Sequence, residues 1–295
     1  EMWLRGDFLV PYKNGAPYSH KPPMLFWTIQ AGWALFGVND WWPRLIMPLF
    51  SAISLGLSYG LARRLWPERA ALPITAVLIL AGSLYWGLFS TTVMFDIMLA
   101  CWVLLGMHGV LDAAAGRSRG FALIGLAIAL GVLTKGPVIL LHILPVAVLA
   151  FWWNPGLRWG RWLGGLLLAI LLGAALALAW AIPAGFSGGE AYRNAIFWGQ
   201  TADRMVNSFA HRRGWWWYLP LLPLMLFPWF VWPRFWSALR GLVRDGLDRG
   251  ARFCLAWMLP VFIAFSLISG KQPHYLLPFF PAFALLAARA LDATG

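Results

Sequence analysis

Long apolar runs separated by short polar turns dominate this chain. Runs of membrane length fall at about Trp42–Ala62, Ala70–Phe89, Met94–Asp112, Phe121–Thr134, Pro137–Trp153, Trp162–Pro183, Trp215–Trp232, Phe253–Ser269 and Leu276–Leu291. The pattern predicts nine spans. A further apolar stretch, Pro23–Phe36, opens on a Pro-Pro pair and ends at Gly37. It is too short to span and reads as an interfacial helix. The expected fold class is all-α, a polytopic transmembrane helical bundle. No internal repeat and no linker divides it, so residues 1–295 read as one membrane domain with outer loops 1–41 and 184–214.

Composition agrees. Of 295 residues 61% are apolar and 12% charged, against roughly 25% charged in soluble domains. Mean hydropathy is +0.69. These values exclude a disordered chain, a collagen-like chain, a disulfide scaffold and an ordinary cytosolic enzyme. Cys101 and Cys254 each lie inside an apolar run and predict neither a disulfide nor a metal knuckle. The chain starts at Glu1 without a signal peptide and reads as starting mid-protein. A net charge of +12 comes without a nucleic-acid motif, so nucleic acid is not an expected partner. Anionic headgroups and phosphate-bearing lipids are.

Nine spans put the termini on opposite sides. One face then carries thirteen arginines, among them Arg63, Arg64, Arg69, Arg117, Arg119, Arg158, Arg161, Arg244 and Arg289. The other carries ten basic residues, including every lysine: Lys13, Lys21, Lys135 and Lys271. The positive-inside rule assigns the arginine face to the cytoplasm by a narrow margin. Lysines on the outer face work against that rule, which implies a use for them.

Five polar constellations fall on the outer face. Tyr18-Ser19-His20-Lys21-Pro22-Pro23 fixes a lysine at the membrane surface, suited to a phosphate; a snorkelling lysine explains the spacing equally well. Asp96 lies near the outer end of a span, where an acid is either functional or a first-turn residue favoured by the helix dipole. Lys135 sits in Thr134-Lys135-Gly136-Pro137, a break between two helices that resembles a small anion site or a simple turn. Arg204 follows Thr201-Ala202-Asp203 in the longest outer loop. It can grip a phosphate in bidentate fashion or pair with Asp203. Ser269-Gly270-Lys271-Gln272-Pro273-His274-Tyr275 is a short turn holding Lys271, His274 and Tyr275. Each signal alone is modest. Their common sidedness suggests a lipid phosphate at the rim of a bundle, with its tail between helices.

In order, PY(x)4PYSHKPP, FG(x)3WWPRL, the D-x-M-L acid, LTKGP, TADR and SGKQPHYLLP resemble the bacterial aminoarabinose transferase and dolichyl-phosphate-mannose–protein mannosyltransferase-like group. This is glycosyltransferase family 83, of GT-C fold, and the likeness runs over nearly the whole chain. It implies a polytopic enzyme taking a sugar from a polyprenyl-phosphate donor to a lipid, protein or glycan acceptor on the periplasmic side of the bacterial inner membrane. It implies that Lys21 and Arg204 bind the donor's phosphate and that Tyr18 and Tyr275 line that site. Asp96 is then a second acid near the catalytic centre, and Lys135, Lys271 and His274 belong to substrate-binding motifs. The family's leading Asp-Glu motif, whose aspartate is the presumed base, lies upstream of the Lys-Pro-Pro block, so this sequence looks like one lacking its first helix. Some relatives hold a metal with a Glu where His20 stands. A metal is therefore not carried over, and His20 and His274 are the candidate ligands if a divalent ion binds.

The expected chemistry is glycosyl transfer with polyprenyl phosphate as leaving group. Cations would stabilise the charge developing on its oxygens, and a carboxylate would take the acceptor's proton. A lipid-linked-sugar flippase needs a similar phosphate site, but also discontinuous helices near the midplane and repeat symmetry. An inactive remnant of the transferase is the third reading.

Overall fold

The computed structural model describes residues 1–199 and 213–292. It is helical, with one two-stranded hairpin, Tyr12–Lys13 against Ala16–Pro17, closed by the Asn14-Gly15 pair favoured in two-residue turns. The interfacial helix forms as Met24–Phe36.

Among the described residues five helices are long and apolar enough to cross a membrane: Trp41–Leu65, Phe95–Ala114, Trp159–Ser187, Arg249–Leu267 and Pro273–Asp292. A sixth span results if Leu72–Ala81 and Leu84–Ser90, bent by 67°, count as one. The other three expected spans are shorter or broken, each for a local cause. Arg119–Lys135 is a continuous helix of only 17 residues. The run after it breaks into Ile139–Val148 and Ala150–Trp153. Within Trp215–Trp232, Pro220, Pro223 and Pro228 remove backbone donors, leaving two 3-10 turns and the short helix Leu222–Met225. At the 67° bend, Ser83 Oγ donates to the Ile79 carbonyl at 2.8 Å, and Trp229 Nε1 donates to Ser83 Oγ at 2.9 Å. The indole wedges into the break, a recognised cause of a sharp kink.

The centre of the bundle is Phe95–Ala114 packed on Arg119–Lys135, which packs in turn on Trp159–Ser187. Small residues allow that approach, as is usual where lipid supplies no hydrophobic drive between helices. A Cβ added to Gly120 would lie 2.3 Å from the Ala113 nitrogen and 2.6 Å from the Gly109 carbonyl oxygen. Both are backbone atoms and cannot rotate away. Gly120→Ala should therefore lower the thermal unfolding midpoint of the purified protein, at a cost of about 1–3 kcal/mol. An unchanged midpoint would show that the helices sit further apart than described.

Two polar rims bound this bundle. Asp96 and Asp112 lie on one helix, 16 residues apart, or roughly 24 Å along its axis. At the Asp112 end, Arg64 donates to Asp112 at 2.5 Å, and Arg117 and Arg119 reach the same carboxylate at 3.1 Å each. Arg69 pairs with Asp292 at 2.8 Å. Asp248 caps Arg249–Leu267 by accepting from the Ala251 amide at 2.8 Å, and it also takes Arg289 Nε at 2.6 Å and the Trp66 indole. Burial raises the Asp248 pKa, but these donors outweigh burial and hold the carboxyl below its ordinary value. Every loop tied here belongs to the face that sequence reasoning called cytoplasmic. Lys135 and Lys21 lie at the opposite rim, so the helix Arg119–Lys135 runs from one rim to the other despite its length.

Candidate functional site

The outer rim is built where the chain turns back after Arg119–Lys135. Gly136 takes φ 78°, which only glycine adopts freely, and its amide closes the helix on the Val132 carbonyl at 2.8 Å. Lys135 is thus held at the helix's last residue. Just below it Thr134 is fully buried, and its hydroxyl accepts from Trp102 Nε1 at 3.0 Å. That bond ties the lysine helix to Phe95–Ala114, whose first turn carries Asp96.

Asp96 is 1% exposed. One oxygen is ion-paired with Lys135 Nζ, and the other lies 4.0 Å from His274 Nε2. The Lys135 ammonium also sits 4.4 Å from the centre of the Tyr275 ring, within cation–π range. His274 and Tyr275 meet edge to face at 5.0 Å. Four of the residues singled out from sequence, Asp96, Lys135, His274 and Tyr275, therefore form one cluster. They come from three separate segments of the chain.

Lys21 joins it from the N-terminal side. The Pro22-Pro23 pair precedes the interfacial helix, and Lys21 Nζ lies 5.1 Å from the centre of the Phe95 ring, beside Asp96. Tyr18 stacks on His20 at 5.3 Å. A cavity of about 240 Å³ opens against Ser19, His20, Lys135, Pro137, Trp180 and Phe197. It is polar at the His20–Lys135 end and apolar elsewhere, the shape and chemistry of a charged head carrying a greasy tail. The outer segments of the chain meet beside it. Val10, Ala184 and Tyr192 bury one another, and Trp180 Nε1 donates to the Leu9 carbonyl at 2.9 Å.

Lys271 takes a different position from the one sequence suggested. It is 2% exposed, and its ammonium donates to the backbone carbonyls of Ile268 at 2.5 Å and Arg213 at 3.0 Å. The Tyr218 hydroxyl donates to the Gln272 carbonyl at 2.9 Å. These bonds brace the turn that carries His274 and Tyr275, so Lys271 is tied to the turn's frame rather than to the cavity wall. Burial lowers its pKa below 10.5. In that window the unfolded chain holds the proton more tightly than the folded one, so stability rises with pH from the lowered pKa up to about 10.5. Lys271→Met should abolish this rise in pH-dependent unfolding. A variant with the wild-type slope would show that the lysine is not buried.

Arg204 lies outside the described residues. The wall contributed by Trp180 was missed in sequence, because Trp162–Pro183 reads simply as a span. The available signal was the small pair Ala177 and Ala181 flanking Trp180, a notch on one helix face. Among the described residues no three of His, Cys, Asp and Glu come together as a metal cage. The nearest donor pair, Asp96 and His274, already faces Lys135, an ammonium that a bound cation would have to displace.

Comparison with known proteins places this geometry. Undecaprenyl phosphate-alpha-4-amino-4-deoxy-L-arabinose arabinosyl transferases of Pseudomonas paraeruginosa and Pseudomonas aeruginosa are each 35% identical over 297 residues, covering 98% of this chain and 53% of theirs. The crystal structure of ArnT from Cupriavidus metallidurans bound to undecaprenyl phosphate superposes with a TM-score of 0.83 at 25% identity, covering 99% of this chain and 53% of that one. The chain spans about half the length of the curated relatives it matches. The fold is the membrane fold of that structure, and the protein is integral to a membrane. A family model described as dolichyl-phosphate-mannose-protein mannosyltransferase matches residues 20–184, a stretch that holds Lys21, Asp96 and Lys135. On that match over more than half its length, with the acid and two lysines of the rim inside it, the chain belongs to the dolichyl-phosphate-mannose-protein mannosyltransferase family.

Proposed function

We propose that the protein containing this chain moves a sugar from a polyprenyl-phosphate donor to an acceptor at the periplasmic surface of a bacterial inner membrane. The supporting observation is the gathering of Lys135, His274 and Tyr275 about buried Asp96 at one rim, with Lys21 over the neighbouring Phe95 ring, beside a cavity that is polar at one end and apolar at the other. The resemblance to arabinosyl transferases that use an undecaprenyl-phosphate-linked aminosugar favours a donor of that class.

In the reaction the acceptor's oxygen forms a bond to the sugar's anomeric carbon. The bond from that carbon to the phosphate oxygen breaks, and the polyprenyl phosphate leaves with the electron pair. The acceptor's proton passes to a base. Negative charge grows on the phosphate as the bond breaks, so cations fixed at its oxygens stabilise the transition state more than the ground state. Lys21 and Lys135 are the cations for that task, joined by Arg204 on the sequence reading. Tyr18, stacked on His20, and Tyr275 and His274, packed against Lys135 and Asp96, stand behind that cavity wall. Asp96, enclosed between Lys135 and His274, acts as a positioning residue that orients both.

The test is direct. Purified full-length protein is mixed with undecaprenyl-phosphate-linked 4-amino-4-deoxy-L-arabinose and a lipid A-type acceptor, and products are read by mass spectrometry. An acceptor heavier by one aminosugar supports the proposal. Movement of the donor between leaflets of vesicles without any product would establish the flippase reading instead.

A further inference from the structure

The opposite rim carries a second cavity, of about 280 Å³, which the transfer reaction does not use. Its walls are Ala113, Gly116, Phe121, Trp162, Arg158 and Arg161. Arg161 donates to the Gly116 carbonyl at 2.8 Å and to Ser118 Oγ at 3.0 Å, which fixes it against the 114–118 loop. Arg117 and Arg119 belong to the same turn and converge with Arg64 on Asp112. Three guanidiniums thus share a single carboxylate, and two more, Arg158 and Arg161, line the cavity beside it. The Arg158 side chain is exposed and makes no hydrogen bond or ion pair among the described residues. So large a surplus of like charge at one spot repels itself until an anion joins it.

The surface next to the cavity is apolar. From the same helix that carries Arg161, Leu168 and Leu172 are exposed seven and eleven residues further on, on the face that Arg161 occupies. Residues at that spacing share one helix face. A cationic cup at the head of a leucine stripe matches a phosphate joined to acyl chains. A soluble anion would use the cup and leave the stripe untouched.

We propose that this cavity binds the headgroup phosphate of an anionic phospholipid in the leaflet opposite the transfer site. Arg158 and Arg161 hold the phosphate, Trp162 and Phe121 flank it at headgroup depth, and an acyl chain lies along Leu168 and Leu172.

The experiment is lipid retention by the purified full-length protein, read by native mass spectrometry after equilibration with phosphatidylglycerol, phosphatidylcholine or inorganic phosphate. Wild-type protein should retain phosphatidylglycerol in preference to phosphatidylcholine. Arg158→Gln should weaken that retention about five-fold, and Arg158→Gln with Arg161→Gln about twenty-five-fold. Arg158→Lys should keep most of it, which guards against a folding defect. Arg240→Gln, on the same rim but outside the cavity, should leave it unchanged. Equal losses in Arg240→Gln and Arg158→Gln would overturn the proposal in favour of diffuse charge attraction. Displacement of the lipid by inorganic phosphate at equal concentration would overturn it in favour of a free-anion site. Transfer in detergent should persist in Arg158→Gln, so failure here is separable from failure of the proposed reaction.

Discussion

Lys21→Ala in the full-length protein should reduce sugar transfer by about 10²–10³-fold, the usual consequence of removing one preorganised donor from a developing oxyanion. The side chain is half-buried at the rim, with its ammonium over the Phe95 ring. Its ammonium therefore lies at the edge of the site rather than in the core. Truncation should leave membrane insertion and the unfolding midpoint close to wild type. Lys21→Arg keeps the charge but replaces a compact ammonium by a planar fork, so it should restore only part of the rate. Arg204→Ala, on the sequence reading, should show a comparable loss. Normal turnover in both alanine variants would remove the phosphate site from this account.

Asp96→Asn should be damaging in a different way. The carboxylate is buried and paired with Lys135, whose side chain is 11% exposed. Neutralising one partner of such a pair leaves a buried charge uncompensated and costs about 3–5 kcal/mol. Stability and transfer should both fall. The combination Asp96→Asn with Lys135→Met removes the orphaned charge, so the unfolding midpoint should recover, while transfer should stay at least about 10²-fold down because Lys135 no longer faces the phosphate. Recovery of both would mean that the pair is purely structural. If the single variant keeps its stability, the pair is not buried as described.

The rim was legible in the sequence because its residue types are costly in a membrane. A lysine beside paired prolines, an acid inside a span and a Lys-Gly-Pro break each violate the local apolar pattern, and such violations stand out without knowledge of the fold. Sequence could not show how they pair. That Asp96 faces Lys135 and His274 depends on three segments meeting in space. Lys271 illustrates the limit. It shares its motif with His274, yet its ammonium turns away onto two backbone carbonyls. The form of the spans was hidden for a related reason. Hydropathy registers apolar length but not helix continuity, and Pro220, Pro223 and Pro228 interrupt a run that is as apolar as its neighbours. The bend at Ser83 was hidden because its cause, Trp229, lies far along the chain. The separation of lysines from arginines was legible because it depends on which loops carry them.

The central claim is that the donor's phosphate docks at the lysine rim, and a structure of the full-length protein with undecaprenyl phosphate bound tests it most directly. The account predicts a phosphate oxygen about 2.8 Å from Lys21 Nζ, with the isoprenoid running past Trp180 and Phe197. Undecaprenyl phosphate bound away from the lysine rim, with Lys21 facing bulk water, would contradict it.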